Sequence, residues 1–159
     1  MRRASRFLLL ALLLGMVGCD HATKVGAKAA LEGKAPLDLV RGVLDLRYAE
    51  NRDTAFSLTN GLHWAGKETL LAALASAALV GIGAMWWRRR RAPLAEQAGF
   101  ALCIAGAVGN IADRIARGYV VDFIHLAHWP VFNVADAAVC VGAGLLVLTH
   151  WRRTPSAVR

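Results

Sequence analysis

Four long apolar stretches, each close to the length that crosses a membrane, constrain this chain more than any other feature. A transmembrane helix needs about 20 mostly apolar residues, and we predict helices at about residues 7–27, 68–87, 97–115 and 131–150. The composition agrees, because 57% of the residues are hydrophobic and 19% are charged, against about 45–50% and about 25% in a soluble domain. The sequence therefore predicts one all-α membrane domain over residues 1–159, built as a four-helix bundle.

Positive charge is concentrated beside the apolar stretches. Ten of the 19 Lys and Arg residues fall in three clusters, formed by Arg2, Arg3 and Arg6, by Arg88–Arg91, and by Arg152, Arg153 and Arg159. Arginine and lysine beside transmembrane helices mark the cytoplasmic side, and four crossings place all three clusters there. We therefore predict a multi-pass protein with both termini in the cytoplasm, and no nucleic-acid partner for its net charge of +8.

The first apolar stretch allows two interpretations. It begins after three arginines and has 13 apolar residues that end in Met16-Val-Gly-Cys19. This pattern is typical of a lipoprotein signal peptide. A helix that continues through Asp20 and Lys24 to about Ala27 would instead reach spanning length. The three further apolar stretches favour the second interpretation, because a lipoprotein is usually a soluble domain on a lipid anchor. We therefore expect an uncleaved first helix.

The region between the first two helices has a strand pattern. Leu44, Leu46 and Tyr48 alternate with Asp45 and Arg47, as in a strand with one apolar face. We predict a small β-sheet over about residues 36–60, on the outer, periplasmic surface of the membrane.

Several polar residues lie within or beside the apolar stretches, where desolvation is costly and a functional role is expected. They lie near the outer ends of the predicted helices, at one depth close to the outer leaflet. The pairs at helical spacing are Asp20 and Lys24, Asn110 and Asp113, and Asn133 and Asp136.

Some of these residues also have a purely structural interpretation. Asp20 and Lys24 are four residues apart and can form an ion pair within one helix. Asp113 can pair with Arg114 or with Arg117. Buried asparagines often hydrogen-bond one helix to another.

Asp122 and Asp136 differ, because no cation lies at helical spacing from Asp136. Two converging carboxyl groups share one proton, since their like charges push the two titrations apart. The ionised group can then act as a base on water while the protonated group polarises a carbonyl. Sequence spacing alone leaves open whether the two aspartates meet.

Five blocks carry a family resemblance. They are Asp20-His-Ala-Thr-Lys24, Asn51 followed by Ala55-Phe56-Ser57, Gly109-Asn-Ile-Ala-Asp-Arg114, Val120-Val-Asp-Phe123 and Phe132-Asn-Val-Ala-Asp136. In this order they resemble the blocks of bacterial lipoprotein signal peptidase (signal peptidase II). One block alone would be weak, but the five extend over most of residues 7–150, and the length and the four spans match too.

The resemblance implies an intramembrane aspartic endopeptidase of the bacterial inner membrane, without metal or organic cofactor. Such enzymes cut lipid-modified prolipoproteins just before the cysteine that carries diacylglyceryl. They work in contact with membrane lipids, and cyclic peptide antibiotics inhibit them. We expect a monomer. The implied catalytic pair is Asp122 and Asp136, and the implied supporting residues are Asp20, Lys24, Asn51, Asn110, Asp113, Arg114 and Asn133.

The chain departs from the family pattern at two positions. Asp53 stands where the family usually has glycine, which removes a permissive backbone position. His21 replaces the glutamine that more often follows the first aspartate. Neither change affects the two aspartates, but both can alter the affinity for substrate or inhibitor. A diverged paralogue that binds without cleaving is therefore an alternative.

Two further hypotheses come from other residues. A metal site is one hypothesis, formed by Asp122, His125 and His128. However, residues three apart drift around the axis of a helix, and the chain lacks an H-E-x-x-H pattern. Intramembrane aspartates also serve proton-coupled carriers. A carrier needs a polar path across the membrane, whereas the inner halves of the helices (residues 74–85, 99–105 and 141–148) carry no ionisable group.

Overall fold

A computed structural model describes residues 3–52 and 67–152. Four helices form the bundle: α1 (Arg3–Leu31), α2 (Lys67–Arg88), α3 (Leu94–Arg117) and α4 (Val134–Trp151). Each is long and apolar enough to cross a membrane. The predicted class, a membrane bundle of four helices with a small sheet, is confirmed.

Helix α3 is the centre of the bundle and contacts each of the other three helices. Its closest approach is to α4, at Gly106. A Cβ atom there would lie 2.4 Å from the backbone oxygen of Ala135 and 2.7 Å from Cγ2 of Val139. The two backbones therefore meet because a small residue stands at this position, as is common between membrane helices.

The sheet has three antiparallel strands in the order β1 (Leu37–Val40), β2 (Leu44–Asn51) and β3 (Val120–Leu126). The alternation predicted for β2 is present. Its Leu46 and Tyr48 pack against a cluster formed by Ala27, Leu31 and Phe123. On the other face of β2, Arg47 Nε donates to Asp45 Oδ1 at 2.6 Å. The sheet is thereby packed on the end of α1.

The third strand was not predicted, because we placed the sheet only between the first two helices. β3 comes from the connection between α3 and α4, and it pairs along β2 from Leu44↔Leu126 to Asn51↔Val120. The part of the predicted β region from residue 53 to 60, including Asp53 and Ala55-Phe56-Ser57, lies outside the described residues.

The helix ends differ from the predicted ones, most of all in α4. We placed Asn133 inside this helix, but Asn133 is its N-cap, with extended backbone (φ −129°, ψ −177°). The first turn of α4 begins only at Val134. Helix α1 is longer than predicted, from Arg3 to Leu31 instead of about 7 to 27. The spacing of Asn133 and Asp136 is thus that of a helix cap and not of one helix face.

Candidate functional site

The two aspartates of the predicted pair lie on either side of the connection from β3 to α4. Asp122 is in the middle of β3 and 2% exposed, while Asp136 is in the first turn of α4. Between them the chain returns to β3, since Ile124 and Phe132 exchange two backbone hydrogen bonds of 2.8 and 2.9 Å. This return places Asn133, the next residue, beside Asp122.

Asn133 contacts both carboxyl groups. It is fully buried, and its Nδ2 donates to Asp122 Oδ1 at 2.6 Å. Its backbone N–H donates to Asp136 Oδ2 at 3.3 Å, and its Oδ1 accepts from the backbone N–H of Asp136 at 3.0 Å. These reciprocal bonds form a capping box, which turns the Asp136 side chain back toward the helix start. One residue thus holds the two aspartates beside each other.

Two more asparagines complete the support of the carboxyl groups. Asn51, the last residue of β2, donates from Nδ2 to Asp122 Oδ2 at 2.9 Å. Asn110 of α3 donates from Nδ2 to Asp136 Oδ1 at 2.8 Å. Both oxygens of each carboxyl group therefore accept a hydrogen bond, and the side chains have little freedom to rotate.

Burial raises the pKa of Asp122 to about 7. Hydrogen bonds from Asn51 and Asn133 act in the opposite direction, whereas the negative charge of Asp136 raises this pKa further. A carboxyl group with a pKa near neutrality can hold a proton while its neighbour is ionised.

Lys24 is a buried cation behind this pair, only 1% exposed. Its Nζ contacts Asp20 Oδ2 at 2.8 Å, Asp113 Oδ2 at 3.1 Å and Asn110 Oδ1 at 2.9 Å. Three acceptors match the three protons of an ammonium group. The ion pair that spacing predicted between Asp20 and Lys24 is present, and the same ammonium also orients the asparagine that donates to Asp136.

Asp20 connects α1 to the start of α4. Its Oδ1 accepts from the backbone N–H of Ala135 at 2.9 Å, one of the N–H groups that a helix start leaves without an internal partner. Gly109 makes room for this contact, since a Cβ atom there would lie 2.4 Å from Asp20 Oδ2. The first block of the sequence therefore supports the helix that carries Asp136.

Asp113 pairs with Arg117, the second of the two arginines considered for it. It also accepts from the backbone N–H of Val121 at 3.4 Å, which ties the start of β3 to the end of α3. Arg114 is half-buried and donates from Nη1 to the backbone oxygen of Asn110 at 3.3 Å.

A cavity of about 350 Å³ lies beside Asp136. Asp136, Asn110, Asn51 and Arg114 line its polar side, and α2 contributes apolar residues such as Leu71 and Leu74. Leu74 is 57% exposed. The cavity therefore opens sideways, along the surface of α2 that faces lipid when the bundle is in a membrane.

The residues considered for a metal site do not converge. Asp122 and His125 lie on strand β3 and not on a helix, and His125 Nδ1 is 2.8 Å from Asp45 Oδ2. Asp122 instead contacts Asn51 and Asn133. Over residues 3–52 and 67–152, no group of three or more His, Cys, Asp or Glu side chains could hold a metal ion.

All nine residues that the sequence singled out are joined by the contacts above. One supporting network was missed. Lys28 Nζ donates to the Tyr119 hydroxyl at 3.0 Å, and the Tyr48 hydroxyl lies 3.4 Å from that of Tyr119. These contacts hold the end of β2 near Asn51. Nothing in the sequence indicates them, because Tyr48 and Tyr119 are 71 residues apart.

Comparison with known proteins gives the family. The family model of signal peptidase (SPase) II matches residues 12–152. The lipoprotein signal peptidase of Pseudoalteromonas translucida is 39% identical over 149 residues, covering 89% of this chain and 85% of the relative. That of Syntrophotalea carbinolica is 33% identical over 158 residues, covering 96% of each.

A solved structure of a bacterial membrane enzyme has the same fold. It superposes with a TM-score of 0.82 at 24% sequence identity, over 92% of this chain and 94% of that one. A second such structure gives a TM-score of 0.81 at 23% identity. On the family match and the curated relatives together, this multi-pass membrane protein belongs to the signal peptidase II family, whose members are proteases that remove signal peptides from lipoproteins.

Proposed function

We propose that the chain is an aspartic endopeptidase that removes signal peptides from diacylglyceryl-modified prolipoproteins. Cleavage falls just before the lipidated cysteine, and Asp122 and Asp136 activate the attacking water. The observation that carries the proposal is that the fully buried Asn133 donates a hydrogen bond to both carboxyl groups, from its side chain and from its backbone.

The two carboxyl groups divide the chemistry. Asp122, with its pKa raised to about 7, holds the proton and donates a hydrogen bond to the oxygen of the scissile carbonyl. Ionised Asp136 takes a proton from water as the water oxygen attacks the carbonyl carbon. The C–N bond of the tetrahedral intermediate then breaks, and the proton on Asp136 passes to the leaving nitrogen.

The cavity suits a substrate that arrives within the membrane. A signal peptide is itself an apolar helix, and the carboxyl pair lies near the ends of the helices, where the lipidated end of such a substrate would be. The apolar side of the cavity, along Leu71 and Leu74, can accommodate the diacylglyceryl chains. Substrate therefore enters sideways from the bilayer.

The direct test is cleavage of a diacylglyceryl-modified prolipoprotein by the purified protein, with the cut site read by mass spectrometry. Asp122→Asn and Asp136→Asn are compared with Asp38→Asn, an exposed aspartate of β1. We expect wild type and Asp38→Asn to cut before the lipidated cysteine, with or without a chelator. Each site variant should lose about 10³-fold or more in rate.

Other outcomes would contradict the proposal. Undiminished cleavage by Asp122→Asn or Asp136→Asn would reject the aspartate mechanism. Binding of the substrate without cleavage by wild type, across several prolipoproteins, would identify a non-proteolytic paralogue. Inactivation by the chelator would point to a metal-dependent reaction.

A further inference from the structure

A second, larger cavity lies at the other end of the bundle. We call it the basic groove. It has a volume of about 670 Å³ and lies between the start of α1, the end of α2 and the start of α3. The carboxyl pair lies at the opposite ends of these antiparallel helices, beside Asp20 and Asn110. The basic groove is thus separate from the proposed active site.

The lining of the basic groove has two chemistries. Its charged part consists of Arg6, Arg90 and Arg91, and none of the described residues that line it is acidic. Its apolar part runs along α1 through Leu9, Leu10 and Leu13. The arginines form one part of the groove and the leucines form an adjoining apolar wall. This arrangement matches a lipid that has an anionic head group and an apolar chain.

The rim of the basic groove is held in place by internal contacts. Gln97 is 1% exposed, accepts a hydrogen bond from the indole N–H of Trp86, and donates to the backbone oxygen of Arg89 at 2.5 Å. The guanidinium of Arg90 lies 5.2 Å from the centre of the Trp87 ring and donates to the backbone oxygen of Trp87 at 3.1 Å. A ligand would find these groups already positioned.

We propose that the basic groove binds one anionic phospholipid molecule. Its phosphate lies against Arg6, Arg90 and Arg91, since guanidinium groups bind phosphate through paired hydrogen bonds. One acyl chain lies along the leucines of α1, in the gap that α2 leaves open at Gly83. A Cβ atom at Gly83 would have no neighbour within 4 Å, so this gap has room for the chain.

The test uses fluorescence quenching by lipids that carry bromine on an acyl chain. The full chain, with Trp64, Trp129 and Trp151 changed to Phe, retains Trp86 and Trp87 as reporters beside the groove. Bilayers of phosphatidylcholine receive brominated phosphatidylglycerol or brominated phosphatidylcholine. We expect the anionic lipid to be preferred by about fivefold or more, the effect of one arginine near a phosphate.

Matched variants distinguish lipid binding in the groove from a general attraction of anionic lipid to surface arginines. Changing Arg6, Arg90 and Arg91 to Gln should reduce the preference below about twofold. Changing Arg3, Arg88 and Arg152 to Gln removes the same charge at the same end of the bundle but outside the groove lining. This control set should keep the preference, and an equal loss in both sets would overturn the proposal.

A second pair of variants tests the acyl-chain part without altering charge. Gly83→Leu fills the groove, whereas Gly81→Leu adds the same side chain to α2 outside it, and neither has a neighbour within 4 Å of its Cβ. We expect only Gly83→Leu to weaken binding. Equal binding in both would contradict the acyl-chain position along α2. Displacement of the lipid by millimolar glycerol phosphate would mean that the groove recognises a free phosphate and not a lipid. Because the readout is lipid binding, it is independent of proteolysis.

Discussion

Lys24 is the residue on which the buried polar cluster most depends. Its ammonium is the cation within 3.1 Å of both Asp20 and Asp113, and its side chain has no exposed surface. Its removal leaves the buried Asp20 carboxylate without this counter-charge, while Asp113 keeps its ion pair with Arg117. We expect Lys24→Met to lower the free energy of unfolding by about 3–5 kcal/mol, as measured by denaturant unfolding in detergent.

Lys28, one turn further along α1, is the matched control. It pairs with Glu32 at 3.6 Å and donates to the Tyr119 hydroxyl at 3.0 Å, but its side chain is 38% exposed. Lys28→Met should therefore cost about 1–2 kcal/mol, less than Lys24→Met, because it removes one exposed ion pair and one hydrogen bond. Equal stability losses in the two variants would contradict the role assigned to Lys24.

The pKa of Asp122 predicts how cleavage depends on pH. In the proposed mechanism, Asp122 holds its proton below about pH 7 and donates it in a hydrogen bond to the substrate carbonyl. Above that value the proton is lost, and the pair carries two negative charges without a donor. We expect kcat/KM to fall as pH rises through about 7, approaching about tenfold per pH unit. A rate that stays constant up to about pH 9 would contradict a protonated Asp122.

At the scale of elements, the contact between α3 and α4 sets the distance between Asn110 and Asp136. Gly106→Ala would place a methyl group 2.4 Å from the Ala135 oxygen, so the two helices must separate. We expect a stability loss of about 1–3 kcal/mol and a larger proportional loss of cleavage. Unfolding and cleavage assays on the same detergent-purified sample check both.

Gly144→Ala is the control for this contact. Gly144 is also in α4, but a Cβ atom there has no neighbour within 4 Å. Replacing a helical glycine without a clash stabilises the helix by about 0.5–1 kcal/mol. Gly106→Ala and Gly144→Ala should therefore change stability in opposite directions, and equal effects would reject the close contact.

Most of the secondary-structure elements, but not all, could be predicted from the sequence. Long apolar stretches predicted all four helices, because a membrane span is encoded locally, and the alternation from Leu44 to Tyr48 predicted β2. β3 was missed because Val120–Leu126 has no polar alternation and its partners in β2 are 69 to 82 residues away. The start of α4 could have been found, since Asn133 and Asp136 have the spacing of a capping box.

The candidate site was predictable as a set of residues and not as a geometry. The resemblance singled out Asp122, Asp136 and Asn133, but spacing alone left open whether the aspartates meet. Their approach depends on the backbone return from Ile124 to Phe132 and on β2, which brings in Asn51. Both are long-range features that arise only when the sheet forms.

At the scale of the whole molecule, the basic clusters predict how the bundle is oriented. We expect Arg88–Arg91 on the cytoplasmic side and the sheet on the periplasmic side. With Cys19, Cys103 and Cys140 replaced by Ser, single cysteines are introduced by Asp38→Cys in β1 and by Arg90→Cys after α2. A membrane-impermeant maleimide should label the first in intact spheroplasts and the second only after permeabilisation. The reverse pattern would invert the topology.

The central claim is that Asp122 and Asp136 act as one catalytic unit, and a double-variant comparison of cleavage rates tests it most directly. Residues that act together are strongly non-additive, so removing both costs about as much as removing one. We therefore predict that Asp122→Asn, Asp136→Asn and the double variant all lose cleavage to the same extent while they remain folded. If the two single losses instead multiply in the double variant, or if either single variant keeps its activity, the two carboxyl groups do not share the chemistry.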